Sequence, residues 1–570
     1  ATNPWFAANK FINDTKRERL ISSLSLKYEF DNGLFIQGRV GRDAYNDRYT
    51  GVIPTGTAYR VLGQMTEETI KFTDLNIDGL AGMPLKINSD LIITPTVGAS
   101  FRRTKSETIT NNGAEFSVPF VYNILNTKNK SVAYTPSDAE VQSVYGSVQF
   151  DVKSYLYVTG TVRSDWFSTL ATPGVDNKLY IVYPSVSGSF IFSEFIESSW
   201  LNFGKLRAGY AGVGQSGDPY QTQLSYNFNS ATLNGRPIGQ ISNVNVPNKS
   251  LKPSFASEIE IGAELRMFNN KLGLDLSWYN KKSKDEIIAA PASSSSGYNG
   301  AILNIGELRN TGFEALINLN VVKTGDFTWT TSLNGSVNDN KVLSLAAGQS
   351  QLPGGTSRSG VGFTASIVNY AAAQIMAYDY KYDDAGKILL TANGIPDRGD
   401  LKPWGSAYHK WIAGWNNQFS FKRFNLGFLI DGKWGGKIFS ATDYYGYVFG
   451  LHKATLQNRE GTFGNGDIDA ATYYRTLADN VSRLFVNDAS FIKFRQLTIG
   501  YSFPTKIFNN RIKNLDFSLV ARNLFILMRK TDNIDPEANF SATPTGLTQG
   551  LELGGVPPVR SFGANLNVRF

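Results

Sequence analysis

The chain has 570 residues, of which 54 are glycine, 13% are aromatic and only 18% are charged, with a net charge of +8. No apolar stretch approaches the roughly 18 residues that a spanning helix needs, which excludes a helical membrane protein and leaves a β-barrel open. Cysteine is absent, so disulfides, thiolate metal sites and cysteine nucleophiles are excluded; His409 and His452 are the only histidines, and the diffuse charge argues against nucleic-acid binding.

The chain opens on Ala1-Thr2-Asn3-Pro4-Trp5, with no basic region followed by an apolar core, so the start is expected to be processed, truncated or internal. Strict alternation then dominates. Leu24, Leu26, Tyr28 and Phe30 lead through Asp31-Asn32-Gly33 into Leu34, Ile36, Gly38 and Val40, which predicts a long hairpin. From Ser257 to Met267, Ile259, Ile261, Ala263, Leu265 and Met267 share one face while Glu258, Glu260, Glu264 and Arg266 share the other. After Asn269-Asn270 the alternation resumes at Leu272, Leu274, Leu276 and Trp278. A further hairpin joins Phe313 to Val321 and Phe327 to Leu333 through Thr324-Gly325-Asp326. From Phe491 to Phe503 the apolar phase moves from Ile492 and Phe494 to Leu497, Ile499 and Tyr501, which predicts a bulge near Arg495 or Gln496.

Connections are long at one end of these strands and short at the other. Long polar segments are expected over about 35 residues from Ser106 to Glu140, about 40 from Gly214 to Ala256, about 70 from Lys341 to Lys410 and about 45 from Ala441 to Asn487. Strands of about 10 residues with this asymmetry predict an all-β fold, a transmembrane antiparallel β-barrel with long extracellular loops and short periplasmic turns. The count is about 17 strands, both the first and the last running down to the periplasm. An even-stranded barrel then draws its remaining strands from elsewhere, and about 22 in total fits the plugged transporters. Its place is the bacterial outer membrane, in contact with lipid and lipopolysaccharide.

Several side chains are candidates for a role. Trp411 and Trp415, in phase with Phe419 and Phe421, fit an interfacial aromatic girdle, or else a soluble aromatic core; the terminal Phe570 joins that girdle and ends a strand like the C-terminal signal of barrel assembly, or else the closing strand of a soluble barrel. Lys205 and Arg207 share a polar face with Glu258, Glu260 and Glu264 of a later strand, which predicts ion pairs on a lumen wall or contacts to substrate or plug. Trp5, Trp404, Tyr408, Tyr444, Tyr445 and Tyr447 are candidate substrate or partner contacts, with loop packing as the alternative. Asp383-Asp384, Asp397 to Asp400, and Asn465-Gly466-Asp467 with Asp469 offer oxygen ligands for calcium, although ordinary turn chemistry uses the same residues. No cofactor is otherwise expected. There is no nucleophile elbow and no glycine loop opening a helix, so an enzyme is not expected.

Blocks along the whole chain resemble the C-terminal barrel region of SusC/RagA-type TonB-dependent outer-membrane transporters of Bacteroidetes. They are NPWF at Asn3 to Phe6, YPSVSGSFIFSE from Tyr183, LKPSFASEIEIGAEL from Leu251, NTGFEA from Asn310, PWGSAYHKWIAG from Pro403, GLHKATLQNREG from Gly450, NDASFIKFRQLTIGYSFP from Asn487, and the terminal RSFGANLNVRF. The resemblance implies that residues 1–570 are the C-terminal part of such a barrel, with plug, TonB box and first strands outside this numbering. It further implies uptake of a glycan or peptide, a SusD-like lipoprotein lid, and energy from the TonB complex through the missing N-terminal region. The rival readings are a SusC-like scaffold subunit within an assembly or secretion machine that holds further outer-membrane subunits, and a passive porin.

Overall fold

Asp31-Asn32-Gly33 turns the first hairpin because Gly33 takes φ +84°, a left-handed conformation open to glycine without steric cost. The structure is a computed structural model and describes residues 3–346, 348–504, 512–538, 549–555 and 558–569. Its chain divides into two compact units. One is Ala1–Gly188, Tyr210–Ala256 and Asp285–Asn304; the other is Ser189–Gly209, Ser257–Lys284 and Ile305–Phe570.

The first unit begins with a short helix, α1 (Pro4–Lys10), whose first free N–H groups are taken by the Asn3 side chain. Then come β1 (Ile12–Glu29), β2 (Phe35–Ile53), β3 (Gln64–Gly82), β4 (Leu91–Phe116), β5 (Thr127–Val152), β6 (Leu156–Phe167) and β7 (Tyr180–Ile191). From β1 to β6 each strand pairs antiparallel with the next. Leu24 lies opposite Val40, Val40 opposite Ile77, and Ile77 opposite Phe101, so the period of two assembles an apolar face across four strands. Leu24, Val40 and Ile77 are exposed to the surroundings, as a lipid-facing belt requires. The opposite face carries Ser25, Gln37, Arg39, Asp78 and Ser100.

The long loop expected from Ser106 to Glu140 is largely strand: β4 continues to Phe116 and β5 begins at Thr127, with Glu107 opposite Pro136 and Ile109 opposite Tyr134. Above the apolar belt both faces of a strand meet water, so the alternation that marks a strand in sequence disappears while the backbone ladder continues.

The second unit holds the first part of β8 (Leu201–Gln215) and nearly all of β9 (Ser254–Met267). It continues with β10 (Leu272–Lys284), β11 (Glu307–Lys323), β12 (Phe327–Ser344), β13 (Trp411–Phe421), β14 (Phe424–Trp434), β15 (Phe491–Ser502), β16 (Asn514–Arg529) and β17 (Ser561–Arg569). From β10 to β17 consecutive strands pair antiparallel. Among the described residues, seven long strands in the first unit and ten in the second make seventeen. The change of phase after Phe494 is a bulge: Gln496 pairs with Leu429 and Phe494 with Ile430, and the unpaired Arg495 is turned to the polar face.

The segments 345–410 and 435–490 are folded extracellular structure. A four-stranded sheet (Gln351–Thr356, Gly362–Ile367, Gln374–Tyr380 and Arg398–Ser406) packs with α2 (Ala441–Val448) and α3 (Ala470–Asn480). Ile375, Phe439, Ala478 and Phe485 lie in its core. Short runs of six to eleven residues supply these elements.

Candidate functional site

The polar faces of both units carry ion pairs within and between their strands. In the first unit Arg39 and Asp78 are opposite one another on β2 and β3, with Nη2 to Oδ2 at 3.0 Å, and Arg102 reaches Asp74 at 2.9 Å. Arg163 donates to Asp165 at 2.7 Å and to Ser143 at 2.8 Å, and the Tyr183 hydroxyl donates to the same Asp165. A cavity of about 400 Å³ opens onto this wall, lined by Arg39, Asp78, Arg102, Tyr145, Arg163 and Asp165. Sequence reasoning singled out none of these six. Their signal was present in the polar phase of β2 to β6, but it became a cluster only once the register was known.

In the second unit Lys205 Nζ stands 2.6 Å from Glu264, and Arg207 bridges Glu260 at 3.4 Å and Asp275 at 2.7 Å while also donating to Ser277. Glu258 makes no ion pair among the described residues. Asp275 and Ser277 complete the group from β10, the next strand of the hairpin. Arg207, Asp275, Ser277, Glu314 and Asn334 line a cavity of about 430 Å³. Walls of paired cations and carboxylates can hold a hydrated polar solute at several weak points, and nothing in them forms a covalent bond.

Trp411 is 54% exposed on β13, opposite Trp434 on β14, and the Trp415 indole donates to Thr331 at 2.8 Å. Below them Phe419 stacks on Trp329 with centroids 5.5 Å apart, and Phe421 faces Phe424 beside the turn. Phe570 lies outside the described residues.

The loop aromatics divide by environment. Tyr444 is buried in the extracellular core and its hydroxyl donates to Asp479 at 2.6 Å; burial first, then Asp479, raises its phenol well above the ordinary value. Trp404 packs against the same core, donates to Ala377 O at 3.0 Å and carries the Arg483 guanidinium over its ring. Tyr447 stands against Phe485, and Tyr445 stacks on Phe449. Tyr408 and Trp5 are exposed. The acidic loop residues act as turn and cap acceptors: Asp383 takes the N–H groups of Ala385 and Lys387, Asp397 pairs with Lys381, and Asp469 caps α3. Among the described residues no group of three His, Asp or Glu side chains is placed to hold a metal.

A third cluster ties a loop to the wall. Lys493, only 5% exposed, meets Asp535 at 2.8 Å and Glu537 at 2.7 Å, and Arg495 at the bulge bridges Asp431 at 2.8 Å and Glu537 at 3.0 Å. Burial works to raise the Glu537 carboxyl, but Arg495 and Lys493 outweigh it and hold it at about 2.

Residues 1–524 match the family model described as TonB dependent receptor-like, beta-barrel. The chain belongs to the TonB-dependent receptor-like β-barrel family. As a member of this family it is an outer-membrane β-barrel protein, and the family is one of transport proteins and not of enzymes. Among relatives of this TonB-dependent receptor-like chain, TonB-dependent receptor P3 of Formosa agariphila is 24% identical over 607 residues, covering 100% of this chain and 60% of the relative. TonB-dependent receptor SusC of Bacteroides thetaiotaomicron is 25% identical over 466 residues, covering 75% and 43%. The structure of the RagAB peptide transporter superposes with a TM-score of 0.79 at 18% identity, over 99% of this chain and 63% of that one. The chain thus spans about three fifths of the length of the first relatives it matches.

Proposed function

We propose that residues 1–570 are the C-terminal barrel portion of an outer-membrane active importer. Its substrate is a peptide or glycan, captured with a SusD-like surface lipoprotein and admitted when the TonB complex acts on an N-terminal plug. The barrel on this reading has about 22 strands, those beyond the seventeen and the plug belonging to the rest of the polypeptide. The observation that carries the reading is an alignment to TonB-dependent receptors over the full length of this chain. The structural likeness to the RagAB peptide transporter supports a peptide substrate; SusC is the second model for the partnership.

On this reading the Lys205–Glu264 and Arg207–Glu260 pairs, with Glu258 beside them, line the lumen. Trp411 and Trp415 mark the membrane boundary, and Tyr408 and Trp5 remain free for substrate or partner. The test is mass spectrometry of the complex purified from its native outer membrane. A parent polypeptide of about 1,000 residues with a TonB box and a SusD-like lipoprotein as its stoichiometric companion supports import. Several other stoichiometric outer-membrane proteins and no TonB box would replace it with a scaffold, and a wide lumen without a plug with a porin.

A further inference from the structure

We propose that the outward face of β2 to β5, at the upper margin of its apolar belt, binds a phosphorylated lipid of the outer leaflet. The proposal rests on the outer-membrane placement of the barrel and is independent of the import reading. The face is set by register. Val40, Ile77 and Phe101 form one apolar row, and the next row away from the short turns reads Arg42, Leu75 and Arg103. Arg42 and Arg103 therefore flank Leu75 from the two adjoining strands, about 10 Å apart at the backbone, a gap that two extended arginine side chains close onto one phosphate. Lys105 and Lys71 follow on the same face in the two rows above.

The cations differ in how they are used. Arg103 is held by Asp138 at 2.7 Å and Lys105 by Glu107 at 2.9 Å. Arg42 and Lys71 are exposed and form no ion pair among the described residues. Guanidinium and ammonium groups just above an apolar belt lie at the depth of anionic lipid head groups, where their charge is complementary and their stems remain against hydrocarbon.

A second observation points to the same occupant. Directly below Arg103 the apolar face is hollowed into a groove of about 740 Å³, lined by Ile77, Gly79, Ala99, Phe101, Val144 and Trp166. Gly79 and Ala99 are opposite each other and form its floor, between the larger Ile77–Phe101 pair above and Ala81–Val97 below. On the rim Glu140 accepts the Gln142 amide at 2.7 Å. A groove of apolar walls opening to the membrane directly below Arg103, with Arg42 across Leu75 free of ion pairs among the described residues, fits one acyl chain continuous with a phosphate-bearing head group.

The test is native mass spectrometry of the full-length protein in mild detergent. It is titrated with a monophosphorylated, acylated glucosamine disaccharide lipid and with the same lipid after removal of its phosphate. The wild type is expected to prefer the phosphorylated form. Arg42→Gln with Lys71→Gln should weaken that form by about fivefold for each cation removed, which corresponds to about 1 kcal/mol per basic side chain at an anionic surface. Gly79→Leu, where a Cβ has its nearest neighbour at 3.9 Å and so causes no clash, fills the groove and should weaken both forms. Folding is checked by the heat-dependent mobility shift of barrels; if the double variant misfolds, Arg42→Gln alone carries the comparison with the fivefold expectation. Equal binding of the two lipid forms by the wild type, or unchanged binding by a folded charge variant, would overturn the proposal. Loss of a co-purifying protein with lipid binding intact would assign the face to a protein interface instead.

Discussion

Gly262 on β9 makes the seat for Arg207 on the neighbouring β8: a Cβ at Gly262 would stand 2.6 Å from the Arg207 Nε. The guanidinium occupies the space a side chain at 262 would fill, and from there it reaches both Glu260 and Asp275. Gly262→Leu is expected to push Arg207 off the wall and cost about 1–3 kcal/mol as an overpacked site. The midpoint of the heat-dependent mobility shift should fall. Combined with Arg207→Gln the two losses should not add, because the second removes the group that the first displaces; additive losses would show that glycine and arginine are unrelated.

The anchor at the bulge has a defined acid limit. Glu537 is held at about 2 in the fold against an ordinary 4.5, a depressed value, so its contribution is present above 4.5 and lost as pH falls through about 2. Protection of residues 531–538 against hydrogen exchange should therefore decline across that window while the strands keep theirs. Glu537→Gln should remove the pH dependence and cost about 3 kcal/mol at neutral pH, since Lys493 stays buried with one partner fewer.

The extracellular core should be separable from the barrel. Tyr444→Phe deletes the bond to Asp479 and should cost about 1 kcal/mol; Tyr444→Ala leaves a void and should cost about 4 kcal/mol. Limited proteolysis within 437–488 should accelerate in that order, with the barrel mobility shift unchanged. Simultaneous loss of the barrel shift would show that the loops and strands fold as one.

Single cysteines report the two faces cleanly, because this chain has none of its own. Val148 and Ser147 are neighbours on β5, one on the apolar face and one on the polar face. In intact outer membranes Val148→Cys should resist a water-soluble maleimide, and Ser147→Cys should react once the lumen is opened by denaturing or removing what fills it. The reverse order would invert the assignment of lipid and water sides.

The alternation of Ser257 to Met267, the hairpins at Asp31-Asn32-Gly33 and Thr324-Gly325-Asp326, and the phase change at Arg495 could all be read along the chain. Each depends on residues at most a few positions apart. The same local rule set the polar phase that carries Lys205, Arg207 and the glutamates. It failed between Ser106 and Glu140, where water on both sides of the strands removes the contrast on which the rule rests.

By itself, then, the sequence determined the period of two, the unequal ends of the strands and so a barrel in a membrane, because lipid on one side and water on the other imprint every second residue. Only the tertiary structure decided which partner each charge takes: Arg207 choosing Asp275 and Ser277, Arg39 meeting Asp78, and Arg42 left without a carboxylate among the described residues. It alone brought Trp404, Tyr444 and Phe485 into one core from distant segments. Those choices are set by strand register and by long-range packing, and neither leaves a periodic trace in the chain.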